Sequence, residues 1–139
     1  MAADVDELKA MWLDLRAQVD QLAAERQQYL DFFEQASEAY VVTDADGAIV
    51  DVNGPAVDIL QRRRQFLRGK PLASLIALER RREFRERLRT LAAGEAQTTP
   101  AWRMVFEAPE LRTEVTLAAR RIERAGRFVG LCWRLEALQ

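Results

Sequence analysis

Between Val5 and Phe33 the apolar residues recur at alternating spacings of three and four, as Val5, Leu8, Trp12, Leu15, Val19, Leu22, Tyr29 and Phe33. Arg26 is the one charged residue in the series. This spacing draws a narrow stripe along a single helix and gives a heptad assignment. Val5, Trp12, Val19, Arg26 and Phe33 fall at a, and Leu8, Leu15, Leu22 and Tyr29 fall at d. No Gly or Pro interrupts the stretch, and its other positions hold good helix formers such as Lys9, Ala10, Gln18, Ala23, Ala24, Glu25 and Gln27. A seam this narrow suits a partner helix better than a globular core, although folding back on the same chain is the competing reading. Valine at a with leucine at d favours two parallel strands, so the nine seam positions are the expected interface of a homodimer.

After Ser37 the period changes from helical to alternating. Ala39 to Thr43 is β-branched and aromatic, Asp44-Ala45-Asp46-Gly47 supplies a turn, and Ala48 to Val52 forms a second strand, so a hairpin is expected. Asn53 followed by Pro55 reads as the N-cap of a short helix containing Ala56, Ile59 and Leu60. An irregular stretch punctuated by Gly69 and Pro71 precedes a small apolar turn, Leu72, Leu75 and Ile76. A longer helix is expected from Glu79 to Ala93, with Phe84, Leu88 and Leu91 inward, Arg80, Arg81, Arg82, Arg85, Glu86 and Arg89 outward, and Gly94 as its stop. Three strands then close the chain, Pro100 to Glu107, Leu111 to Ile122 and Phe128 to Leu135, with Val129, Leu131, Trp133 and Leu135 on one face of the last. The resulting fold class is α+β, a five-stranded antiparallel sheet with helices on one face, preceded by the long amphipathic N-terminal helix. Residues 1–36 form the helix and residues 37–139 the domain.

The run from Val41 to Asn53, with its apolar strand, Asp-x-x-Gly turn, second strand and terminal Asn, resembles the opening of a PAS domain. Phe66-Leu67-Arg68-Gly69-Lys70-Pro71-Leu72 is similar to the connector of the same family. The resemblance spans residues 32–135 and implies a sensory or regulatory fold whose members bind many different ligands or none. Within it, Asp44, Gly47, Asn53 and Gly69 have structural duties: bonding turn amides, permitting a tight turn and capping a helix. The chain departs from the family where a Gly often follows the first short helix, since Gln61 and then Arg62-Arg63-Arg64 stand there.

With 49% hydrophobic and 31% charged residues, the 139-residue chain can bury one core and still present a solvated surface. The 21 Lys and Arg nearly balance the 22 Asp and Glu, so no global field draws it to nucleic acid or anionic lipid, and neither partner is expected. Asp4, Asp6 and Glu7 stand where a signal peptide carries positive charge, and no apolar run is long enough for a membrane span. The expected location is therefore the cytoplasm, which suits a single cysteine.

The chain has no histidine, which removes the commonest general base, metal ligand and haem ligand together. No metal site is expected, because placing Gly47 at the sixth position of a calcium loop makes Val42 the first ligand. Cys132 lies in a strand pattern and outside any Asn-Cys-Arg-Phe motif of the kind used by flavin-binding members, so neither haem nor flavin is expected and Cys132 reads as a structural thiol. The clusters Arg62-Arg63-Arg64 and Arg80-Arg81-Arg82 have no aromatic platform beside them and read as solvated faces. No nucleophile, base and phosphate loop can be assembled into a catalytic site, so the chain is not read as an enzyme. A ligand cavity, if present, belongs between the sheet and the helices, lined by Ile49, Ile59, Leu72, Ile76, Leu88, Met104, Val115, Leu117 and Cys132, a set that would equally pack as core. Two functions are compatible with these features: a sensory module that dimerises and relays a signal through its N-terminal helix to a protein partner or output domain, and a ligand-free dimerisation or protein-interaction scaffold.

Overall fold

The computed structural model describes residues 2–138, with side chains from Asp4 onward. The outermost limits of the expected domains, Met1 and Gln139, lie outside the described residues. The chain divides into two compact units, Met1–Glu34 and Gln35–Gln139.

The first unit is built on helix α1, Ala2–Gln35. Its exposed flanks are laced by pairs one turn apart, in which Gln18 donates to Asp14 at 3.1 Å, Gln27 donates to Asp31 at 2.9 Å and Arg16 meets Asp20 at 3.6 Å. Each such pair stabilises the helix slightly, and its side chains stay in water.

The second unit contains strands β1 (Ala39–Asp44) and β2 (Ile49–Val52), short helices α2 (Gly54–Leu60) and α3 (Arg64–Leu67), helix α4 (Arg81–Ala92), and strands β3 (Trp102–Ala108), β4 (Leu111–Arg124) and β5 (Arg127–Ala137). The strands form one antiparallel sheet in the order β2-β1-β5-β4-β3, so the last strand in sequence lies at the centre. Ala39, Val41 and Thr43 of β1 face Leu135, Trp133 and Leu131 of β5, which in turn align with Leu117 and Ala119 of β4. These residues make the buried inner face. Ala56, Leu60, Leu67, Phe84 and Leu91 from the helices complete the same core cluster.

Turn chemistry explains the hairpins. The Asp44 carboxylate accepts from the amides of Asp46 and Ala48 at 2.9 and 3.0 Å, and Gly47 takes φ +89°, a left-handed conformation that side chains resist. The connector then returns along β2. The Gly69 amide donates to the Ile49 carbonyl and the Ile49 amide to the Lys70 carbonyl, both at 2.8 Å, so the outer edge of β2 is covered by backbone. Between β4 and β5 the turn is only Ala125-Gly126, both at positive φ, as a two-residue hairpin with matching twist demands.

Two expectations about side-chain placement are corrected here. Arg80 and Arg81 do not belong to a purely solvated face: Arg80 donates to the Arg103 carbonyl at 2.8 Å, and Arg81 to those of Ile76 and Ser74 at 2.9 and 3.2 Å. Helix α4 begins after a 3-10 turn at Leu78–Arg80, and these two guanidiniums satisfy carbonyls around that entry. In β5 the alternation fails at its start. A register shift beside Ile122 and Glu123 brings Phe128 against the core and leaves Val129 exposed, so Val129 does not share the face of Leu131, Trp133 and Leu135.

Candidate functional site

Two groups of residues carry candidate function, the interior between sheet and helices and the seam of α1. In the interior, Ile49, Leu72, Ile76, Met104, Val115 and Leu117 are brought together and buried, with Ile59 and Leu88 packed at the margin of the same cluster. Aromatic rings fill the space among them. Trp133 sits with its ring centroid 5.0 Å from Phe84 and 6.3 Å from Trp102, the latter edge-on. The Trp133 indole N–H donates to the Thr43 hydroxyl at 3.0 Å, which satisfies both of these buried polar groups. Phe84 and Trp133 lie on apolar periods recognised in the sequence but stood outside the candidate cavity set, and Trp102, within the expected strand Pro100 to Glu107, was not singled out.

Cys132 is not among these residues. It pairs with Val42 and Arg120 on the opposite face of the sheet, because alternation along β5 turns it away from Leu131 and Trp133. There it borders an open hollow of about 430 Å³ with Tyr40, Thr98, Thr99, Ala118, Arg120 and Arg134. Burial pushes the Cys132 thiol above its usual range, and the nearby Arg120 charge only partly opposes this. The group therefore stays protonated near neutral pH, and nucleophilic chemistry is disfavoured. Tyr40 is shifted up as well, chiefly by its 2.6 Å hydrogen bond to Glu38. Among the described residues no cluster of three acidic or cysteine side chains is placed to hold a metal ion.

The structural motif converges on Asn53, which is fully buried. Its side-chain oxygen accepts from the Ala56 amide at 3.2 Å, capping α2, and from the Tyr40 amide at 2.9 Å. Its side-chain nitrogen donates to the Glu38 carbonyl at 2.8 Å. One side chain thus ties the start of β1 to the start of α2. At the other end of α2, the C-cap Gln61 takes φ 54°, a left-handed conformation that favours Gly.

The sequence reading also missed Arg121. It lies on the inward side of β4 with its guanidinium 4.2 Å from the centroid of Phe128, and it donates to the Leu91 and Ala92 carbonyls at the end of α4. A cation there offsets the negative end of the helix. Only the tertiary fold brings these groups together, so no local sequence signal announced the role.

On α1 the seam has no such enclosure. Val5, Leu8, Trp12, Leu15, Val19, Leu22 and Tyr29 are each between 52% and 63% exposed, and Tyr29 stacks on Phe33 at 6.0 Å. A row of large apolar side chains left in water along seven turns is costly in a folded protein.

The family described as PAS fold matches residues 33–139. The chain belongs to the PAS fold family. Members are generally sensory or regulatory signalling modules and typically non-enzymatic. The PAS domain here is similar to that of an HTR-like protein from Haloarcula marismortui, at 16% identity and a TM-score of 0.68, covering 88% of this chain and 99% of that one. It is similar also to a PAS domain from Colwellia psychrerythraea, at 15% identity and a TM-score of 0.70, covering 81% of this chain and 95% of that one. A third likeness is to the PAS domain of a LuxR-family transcriptional regulator from Burkholderia thailandensis, solved with ethanol, at 20% identity and a TM-score of 0.64, covering 79% and 96%. No curated protein matches the chain at a significant level. Among the described residues of this PAS protein, no helix is long and apolar enough to cross a membrane.

Proposed function

We propose that this chain is a regulatory PAS module that dimerises through the seam of α1 and passes its state along that helix to a protein partner. The exposed row of heptad residues carries this reading. Burying about 100 Å² of apolar surface at each of several seam positions supplies roughly 2 kcal/mol apiece, enough to offset the loss of freedom on association. The module works in the cytoplasm, without haem, flavin or metal, and has no catalytic step of its own. Leu15→Asp combined with Leu22→Asp puts two charges into the seam and is expected to give a folded monomer by light scattering. A double variant that stays dimeric would place the association elsewhere.

The close packing around Trp133 supports a second reading of the interior, in which the domain is a ligand-free scaffold. A small apolar ligand, on the first reading, enters only by displacing part of that aromatic cluster. Native and denatured masses of the purified protein separate the two: reproducible extra mass in the native spectrum marks a ligand, and identical masses favour the scaffold.

A further inference from the structure

Arg26 is the one cation of α1 with no acidic residue a turn away, and the neighbouring Glu25 is among the carboxylates with no cation a turn away. Arg26 occupies the seam, and the residues three and four positions away are Leu22, Ala23, Tyr29 and Leu30. Glu25 precedes it and has Gln21, Leu22, Gln28 and Tyr29 at the same offsets. Its carboxylate accepts from Gln21 at 3.0 Å, which leaves its charge unbalanced. Adjacent residues on a helix do not face each other, so Glu25 and Arg26 cannot neutralise one another within one chain. Arg16, by contrast, has Asp20 one turn away at 3.6 Å.

We propose that Glu25 and Arg26 form a reciprocal pair with a second copy of this chain, and so fix the helices parallel and in register. The proposal rests on the seam being the dimer interface. In a parallel two-stranded coiled coil, the residue at g lies beside the following a position of the other strand. Glu25 is at g and Arg26 at the next a, so each copy presents its carboxylate to the other's guanidinium, twice by symmetry. Elsewhere the same alignment sets Asp4, at g, opposite Lys9, at e, of the second copy. Residues 2–35 hold eight acidic and three basic side chains, so two copies repel unless the cations are placed against carboxylates. Parallel, in-register pairing meets that condition for two of the three cations, and Arg16 meets it through Asp20 on its own helix. The arginine stem meanwhile covers apolar surface in the seam. Arg26 thereby acts as a register and partner selector, a use well attested for single polar residues at a.

Charge exchange tests this in the full chain at about 0.15 M salt, where exposed charges more than roughly 8 Å apart are screened. An antiparallel pair centred on Val19 would hold the two Arg26 positions roughly 20 Å apart, beyond that range. Glu25→Arg alone opposes two cations across the seam, and Arg26→Glu alone opposes two carboxylates. Each single variant is expected to self-associate roughly tenfold more weakly than the parent. Mixed together, the two are expected to form a heterodimer in preference to either homodimer, visible by native mass spectrometry. Glu25→Arg with Arg26→Glu in one chain is expected to recover the parental dimer. The pairing is overturned if the double exchange associates no better than the single variants, or if the mixture shows no preference. Should Leu15→Asp with Leu22→Asp abolish a dimer that the exchanges leave untouched, the seam stands and this pairing falls. A parent chain that is monomeric removes both, and a distinct basic helix then becomes the occupant to seek.

Discussion

Replacing Asn53 by alanine removes the hydrogen bonds to Tyr40, Glu38 and Ala56 together, and their surroundings determine how much each matters. The bond to the Ala56 amide is a helix cap on a seven-residue helix, and losing such a cap costs about 1 kcal/mol. The Tyr40 amide loses its 2.9 Å partner in a half-buried setting, which adds roughly 1–2 kcal/mol. The Glu38 carbonyl belongs to an exposed residue and recovers its partner from water, so it contributes little. The sum is about 2–3 kcal/mol, equivalent to a fall in melting temperature of roughly 10 °C for a domain of this size. Urea unfolding followed by circular dichroism and by tryptophan fluorescence gives the midpoint, and an unchanged slope shows that the loss belongs to the folded state. Asn53→Asp keeps both accepted bonds but turns the donor toward Glu38 into an acceptor, so it is expected to fall between the parent and the alanine variant. If Asn53→Ala melts within about 2 °C of the parent, the account of Asn53 as the tie between β1 and α2 is wrong.

Gly130→Ala tests close approach without left-handed strain, since its φ is not positive and a Cβ there would fall within the Thr43 carbonyl oxygen. Calorimetry should show a loss of roughly 1–3 kcal/mol as β1 and β5 are forced apart, and an unchanged melting temperature would contradict the sheet register. Gly47→Val should cost a similar amount, roughly 1–3 kcal/mol, by putting a β-branched residue at φ +89°. Gln61→Gly should act in the opposite sense, raising stability by about 0.5–1 kcal/mol in the same assay because it relieves a left-handed non-glycine residue. Alkylation of Cys132 at pH 8 should proceed more slowly than that of a free cysteine, and more quickly as pH rises toward its elevated pKa; a rate equal to the free thiol would refute its burial.

Local periodicity made most of this architecture legible. The β1 hairpin, the Asn53 cap and the apolar face of α4 each depend on residues near one another in sequence, and each was recoverable within a residue or two. The position of β5 between β1 and β4 was not, because strand order is decided by pairings far apart in sequence, as in the bond between Thr43 and Trp133, 90 residues apart. Cys132 was misplaced for a related reason. With apolar side chains on both faces of β5, hydrophobicity alone could not say which face was inward, and the register against Val42 settles it. The arginines show a further gap, since Arg80, Arg81 and Arg121 look like surface charge in a linear reading and spend their donors on distant carbonyls. Helix α1 was legible in full, because helical spacing is local.

The central place of β5 has a consequence for how the protein is made. A ribosome delivers β1, β2, β3 and β4 before residues 127–137, and until then the nascent chain holds two hairpins with no strand to join them. A lone hairpin is marginal in water, so neither half can commit early, and the apolar inner faces of both stay accessible to chaperones. Folding therefore arrives as one late event when the final strand slots between them. A message truncated shortly before that strand yields no partly folded domain, only a substrate for proteolysis. By the same logic, residues 1–126 and a peptide spanning 127–139 make a natural pair for a complementation assay, with the sheet itself reporting when the two halves have met.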